Sequence, residues 1–157
     1  MMLRIGVIGG ENPDREILDL AYNVGRKIAK NNCILICGGL SGVMEEVSKG
    51  AKEEGGMIVG ILPYQDTSRC NPYITIPIVT GIGYARNMIV VLSSQAVIAI
   101  DGAYGTLSEI AYALQFEIPV IGLYTWDFSY KEKPPIVRTS SPEEAVKLAI
   151  KFGSSKV

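Results

Sequence analysis

The chain has 157 residues, 48% of them hydrophobic and 20% charged, which fits one compact domain with a core large enough to need neither metal nor disulfide. With 15 Lys and Arg against 16 Asp and Glu the formal charge is −1, a balance that argues against nucleic acid as a partner. Histidine is absent, which removes Ser-His-Asp and Cys-His catalysis and the commonest zinc ligand, and leaves any chemistry to carboxylates, arginine and backbone amides.

Leu3 to Ile8 is a short β-branched run ending at Gly9-Gly10. Asn12-Pro13 then offers an N-cap and a first-turn proline for a helix from Asp14 to Lys30, in which Ile17, Leu20, Ala21, Val24 and Ile28 share one face. Cys33 to Cys37 reads as a second strand, Gly42 to Glu54 as a helix stopped by Gly55-Gly56, and Met57 to Pro63 as a third strand. After a polar loop from Tyr64 to Pro72, Tyr73 to Thr80 reads as a strand and Tyr84 to Ser94 as a helix. Ala96 to Ile100 is a strand apolar on both faces, which makes it central and parallel. Gly105 to Glu117 is the next helix, and Pro119 to Tyr124 and Pro135 to Arg138 are the last strands. Ser141 or Pro142 opens a final helix with Glu143 and Glu144 in its first turn, where the helix dipole favours them. The alternation predicts an α/β fold: a doubly wound, Rossmann-like parallel sheet with helices on both faces, whose ligands lie beyond the carboxyl ends of the strands. Residues 1–157 are expected to form a single nucleotide-binding-like domain.

The N-terminus lacks the pattern of a cleaved signal, so a cytoplasmic location is expected. Met88 to Ile100 is interrupted by Ser93, Ser94 and Gln95 and falls short of the ~20 residues a membrane span needs, so no membrane partner is expected. A mean hydropathy of +0.24 points instead to an apolar contact between copies, a homodimer or homotetramer. The helix carrying Met88, Ile89, Val90, Val91 and Leu92 is expected to be buried, with a dimer interface as one place for it. Cys33, Cys37 and Cys70 read as reduced, buried core residues.

Three glycine loops end strands. Gly9-Gly10-Glu11-Asn12 lacks the dinucleotide fingerprint, so it reads equally well as a tight turn, with Gly10 a further ligand candidate. Gly38-Gly39-Leu40-Ser41-Gly42 is better suited to bring backbone amides to a phosphate, through Gly38, Gly39 and Gly42. The third, Asp101-Gly102-Ala103-Tyr104-Gly105-Thr106-Leu107-Ser108-Glu109, ends the most apolar strand and opens a helix. There a phosphate site and a Thr106/Glu109 capping box are evenly matched on spacing alone. Arg86 lies in the preceding connection and is placed to face the same crevice as Glu109, although an isolated arginine at a helix start is more often a surface residue. Trp126, Phe128 and Tyr130 suit a core or subunit contact better than a cover for a base.

Taken in order, Gly38-Gly39 with Gly42-Val43-Met44, Gly55-Gly56 followed by Val59-Gly60-Ile61-Leu62-Pro63, and Arg86 to Met88 leading into Gly102 to Glu109 resemble the Lonely Guy (LOG) superfamily. That group, long mislabelled as lysine decarboxylases, includes cytokinin-activating phosphoribohydrolases and molybdenum cofactor carrier proteins. The likeness spans Ile5 to Gly122. It implies that Gly102, Ala103, Tyr104, Gly105 and Thr106 hold a phosphate, and that Arg86 and Glu109 work together on the ribose. Hydrolase members read Pro-Gly-Gly-x-Gly-Thr-x-x-Glu in this loop. Here Asp101 replaces the proline, Ala103 the second glycine, Ser108 a frequent glutamate, and Asn87 the lysine that usually follows the arginine. These departures bear on hydrolysis more than on binding, and they bring the chain nearer the molybdenum cofactor carrier branch. Asp101 would repel a phosphate unless a cation or hydrogen bond offsets it, which makes Asp101 and Asn87 further candidates. No metal site and no cofactor is required, with room for magnesium near Asp101. The decarboxylase label has no support, since no histidine is available to stack on a pyridoxal ring and no lysine stands in a glycine loop.

Two functions follow. In the first, the chain hydrolyses a nucleoside 5′-monophosphate to free base and ribose 5-phosphate, with Glu109 stabilising positive charge on the ribose and Arg86 anchoring the substrate. In the second, it is a non-catalytic carrier or sensor that holds a phosphorylated ligand, such as a pterin-molybdenum cofactor or a nucleotide. A scaffold in which Thr106 and Glu109 only cap a helix is the third possibility.

Overall fold

The computed structural model of the chain describes residues 1–129 and 135–156. Seven parallel strands form the sheet: β1 (Arg4–Gly9), β2 (Ile34–Cys37), β3 (Ile58–Leu62), β4 (Ile76–Val79), β5 (Ala96–Ile100), β6 (Val120–Leu123) and β7 (Val137–Arg138). Five helices connect or follow them: α1 (Arg15–Lys30), α2 (Val43–Glu53), α3 (Arg86–Leu92), α4 (Tyr104–Gln115) and α5 (Pro142–Gly153). The strand order is β4-β3-β2-β1-β5-β6-β7. The chain winds outward from β1 in one direction and, from β5, in the other, so the order reverses between β1 and β5. In such sheets the crevice beyond that reversal is where ligands bind.

Alternation along the strands explains the layers. In β5, Ala96, Ile98 and Ile100 point into one core with Ala21, Val24 and Ile28 of α1, Val43 and Val47 of α2, and Ala145, Val146 and Ala149 of α5. Val97 and Ala99 point to the other face, against Val90 and Val91 of α3 and Ile110 and Ala113 of α4. A strand covered on both faces has no place for a polar side chain, which is why its sequence is continuously apolar. α1 and α2 cross in backbone contact. A methyl group at Gly25 would overlap the Val47 carbonyl oxygen, and one at Gly50 the Tyr22 carbonyl oxygen.

Most element ends fall within a residue or two of those predicted, and Gly55, at φ +73°, stops α2 as expected. Ser141 caps α5, its hydroxyl accepting the Glu144 N–H at 3.3 Å with Pro142 as the first helical residue. Several expectations are corrected. The α1 cap falls at Asp14, whose side chain makes no capping bond, rather than at Asn12. The strand from Tyr73 to Thr80 shortens to β4, an edge strand whose four residues are all exposed. The helix from Tyr84 is split into a 3₁₀ turn, Gly83–Ala85, and α3. On α3 only one side is covered: Val90 and Val91 are buried, whereas Met88 and Leu92 stand exposed, because a helix packed on a sheet buries a stripe and not its circumference. Cys33 and Cys37 are buried but Cys70 is only partly so, and all three are free thiols. No helix among the described residues is long and apolar enough to cross a membrane.

Candidate functional site

Loops from the carboxyl ends of β1, β2 and β5 meet at the strand-order reversal and enclose a crevice of about 440 Å³. The first two are joined directly: the Val43 N–H donates to the Gly10 carbonyl at 2.9 Å. Gly42 stands at φ +68°, where a side chain would overlap the Gly10 and Glu11 carbonyl oxygens, so only glycine permits this approach. Across the crevice the Asp101 carboxylate lies so near Gly10 that a methyl group there would sit 2.7 Å from Oδ2.

The third loop turns sharply into α4. Asp101 has φ +53° and Gly102 φ +109°. A side chain at Gly102 would collide with that of Thr106. Ala103 is the N-cap residue and offers no side-chain cap, and the Leu107 N–H bond to the Ala103 carbonyl, at 3.0 Å, is the helix's first. The predicted capping box is therefore not formed, because Thr106 lies inside the first turn and not at the cap position. The amides of Tyr104, Gly105 and Thr106 thus have no partner within the helix and stand at its positive end.

Arg86, at the start of α3, and Glu109, one turn further along α4, are brought to 3.7 Å, with each side chain only 8% exposed. One guanidinium nitrogen donates to Asn87 Oδ1 at 2.6 Å and another reaches the Gly38 carbonyl at 3.4 Å. Arg86 Nε is buried and has no hydrogen-bond partner among the described residues. Asn87 is in turn fixed through Ser108 Oγ at 3.1 Å, and Ser108 donates to the Gly105 carbonyl at 2.6 Å. Burial pushes the Glu109 carboxyl up to about 8, against the opposing pull of Arg86. At neutral pH the pair therefore comprises a guanidinium and a neutral acid and carries a net positive charge, in a crevice that the carboxylates of Glu11 and Asp101 also line. That charge, a buried donor and the amides at the start of α4 are the kinds of group that suit a compact anion.

Of the other residues expected at the site, Gly10, Gly38, Asn87, Asp101, Ala103 and Gly105 line the crevice. Gly39 faces Leu62 and Gly60 of β3, and Gly42 faces the first loop, so both shape the cradle from behind. Tyr104 points outward and lies against Trp126, ring centres 6.1 Å apart. Phe128 joins the core beside α3 and α4, while Tyr130 lies outside the described residues. Tyr84, Met44, Glu11 and Asn12 also line the crevice, which only the assembled loops reveal. Among the described residues no group of three or more His, Cys, Asp or Glu side chains is placed to hold a metal ion.

The sequence profile of the SLOG cluster4 family matches residues 2–149. A structure of the molybdenum cofactor binding protein from Rippkaea orientalis is 40% identical, with a TM-score of 0.91 over 96% of this chain and 97% of that one. The Moco carrier protein from Chlamydomonas reinhardtii is 34% identical, with a TM-score of 0.87 over 100% of both chains. A probable cytokinin riboside 5′-monophosphate phosphoribohydrolase from Oryza sativa subsp. japonica is 29% identical over 99 residues, which span 61% of this chain and 44% of that protein.

Proposed function

The chain belongs to the SLOG cluster4 family, and from that premise we propose that it is a carrier or sensor that holds a phosphorylated small ligand, a phosphate-bearing pterin cofactor or a nucleotide, without breaking it. One observation carries the reading: a buried arginine with an unspent Nε, beside a carboxyl that burial holds neutral. The ligand's phosphate is placed at the α4 amides, between Gly102 and Thr106, with Arg86 as its counter-charge and Asn87 holding the guanidinium in plane. Only glycine permits the turn at 102, since any side chain there would meet Thr106. The likeness to cofactor-binding proteins over the whole chain supports the same reading.

A second reading, a phosphoribohydrolase, is favoured by the 3.7 Å approach of Glu109 to Arg86 and by the rice relative. The two readings place opposite demands on Glu109. Stabilising positive charge on a ribose needs the carboxylate, whereas holding an anion is best served by the neutral acid. Affinity for nucleoside 5′-monophosphates is therefore expected to hold up to neutral pH and to fall as pH rises through about 8, where the carboxylate begins to cancel Arg86. Glu109→Gln should abolish that alkaline fall. Titration calorimetry across pH, with and without magnesium, reads it, and chromatography of the same mixtures looks for free base. Base release that rises through the same pH and vanishes in Glu109→Gln would replace the carrier by the hydrolase, and absence of binding would sink both.

The same group sets a stability trend. The folded-state value, about 8 against 4.5 for the ordinary carboxyl, means that the folded chain holds a proton which the unfolded chain has released. Stability should therefore decline as pH rises from about 4.5 to about 8 and level off above. Glu109→Gln should flatten the decline in denaturant titrations, and an equally steep slope in that variant would exclude Glu109 as its source.

We also propose that copies pair through the exposed apolar strip of Met88 and Leu92 on α3 with Tyr112 and Phe116 on and beyond α4. A cytoplasmic location completes the proposal. Sedimentation should give a dimer or tetramer that Leu92→Glu dissociates, and a monomeric wild-type protein would overturn the pairing.

A further inference from the structure

The phosphate loop is tied from behind by the segment that follows β6. Thr125 Oγ1 donates to the Asp101 carbonyl at 2.6 Å, and Trp126 Nε1 donates to the Ala103 carbonyl at 3.1 Å. A third bond, Asp101 N–H to the Leu123 carbonyl at 3.2 Å, continues the β5–β6 pairing into the loop. Tyr124, at φ +51°, is the left-handed step that turns Thr125 and Trp126 back toward it. The ring of Trp126 is braced by Tyr104 of α4.

Each tie fixes the direction of an amide. In a trans peptide the C=O and the N–H point to opposite sides of one plane. The Asp101 carbonyl shares its plane with the Gly102 N–H, and the Ala103 carbonyl shares its plane with the Tyr104 N–H. Drawing both carbonyls toward Thr125 and Trp126 therefore turns both N–H groups to the other side of the loop, where Gly102 and Ala103 line the crevice. The Ala103 carbonyl is doubly engaged, accepting the Leu107 N–H as well, so it has no lone pair left to turn inward against an anion. Neither Thr125 nor Trp126 is among the residues that line the crevice.

We infer that Thr125 and Trp126 are positioning residues of the anion site, which hold the loop's amides aimed at the ligand through the carbonyls of Asp101 and Ala103. The inference rests on the phosphate-binding reading above. It also makes Trp126, the chain's single tryptophan, a built-in reporter, since an anion that orders the loop alters the surroundings of its indole.

The test compares Thr125→Val, which keeps the shape but removes the donor, with Thr125→Ser, which keeps the donor, and with Trp126→Phe. GMP and inorganic phosphate are the probes, and calorimetry gives Kd at a temperature well below unfolding. Thr125→Val and Trp126→Phe are each expected to weaken GMP binding about tenfold, the scale of one well-placed hydrogen bond. Thr125→Ser should stay within about threefold of the wild type, less than half that energy. A purely structural role would instead lower the melting temperature and leave Kd of the folded protein unchanged. Wild-type binding matched by Thr125→Val overturns this inference alone. A wild-type protein that binds neither probe overturns the parent reading and this one with it.

Discussion

Arg86→Ala is expected to weaken binding of a nucleoside 5′-monophosphate by about a hundredfold, or ~2.7 kcal/mol, the scale of one or two charge-assisted hydrogen bonds lost from a buried site. The reason is specific to this crevice. The α4 amides supply partial charges, whereas Arg86 is the full positive charge that lines the same crevice, and its Nε is a buried donor with no partner among the described residues. The variant should nevertheless fold. Removing the arginine leaves Glu109 without the guanidinium beside it, but burial already favours the neutral acid at pH 7, so no uncompensated charge is stranded. Arg86→Lys should recover little, because a lysine ammonium is a single point and cannot reproduce the planar fork whose separate nitrogens reach Asn87 and the Gly38 carbonyl. Calorimetry with a parallel melting curve checks this, and unchanged affinity in Arg86→Ala would remove the arginine from the site.

The largest effect on stability is expected at Gly25. A methyl group there would overlap the Val47 carbonyl and crowd the Ala51 amide at 2.9 Å, all of it backbone that cannot swing aside. α1 and α2 would have to separate, and with them the core built from Ala21, Val24, Val43 and Val47. Overpacking at a helix crossing costs about 3 kcal/mol, which in a domain of this size lowers the melting temperature by about 10 °C. Gly50→Ala should behave alike, since it meets the Tyr22 carbonyl from the other side of the same crossing. A melting temperature within about 2 °C of the wild type would show that the helices adjust freely.

The contrast between these two positions shows where the site could be read in advance. Motif spacing placed Arg86 and Glu109 beyond the ends of β4 and β5. Those strands lie four positions apart in the sheet, so it is the crossover through α3, from the edge back to the centre, that brings Arg86 to Glu109. No motif marked the close crossing at Gly25. A glycine within an amphipathic helix reads as a weakness in propensity, and what makes it necessary is a carbonyl on a different helix. Glu109 presents the same difficulty in electrostatic form. Its position was evident, but the rise of its carboxyl to about 8 follows from burial between α3 and α4, which no local pattern encodes.

Local chemistry was enough for the elements and their order. The unbroken apolar run of β5, the Gly55 stop and the Ser141-Pro142 start depend on neighbours a few residues away, so they are written in the chain itself. The assembled sheet, in contrast, assigned the roles of the loop residues. It moved Thr106 inside the helix and away from a cap, separated Gly38, which lines the crevice, from Gly39, which faces β3, and brought Trp126 to a carbonyl 23 residues earlier. These outcomes depend on which peptide planes face one another across strands distant in sequence. Hydrophobic periodicity fixes which face of an element is buried, but the hydrogen bonds that aim a loop form only after those faces have stacked.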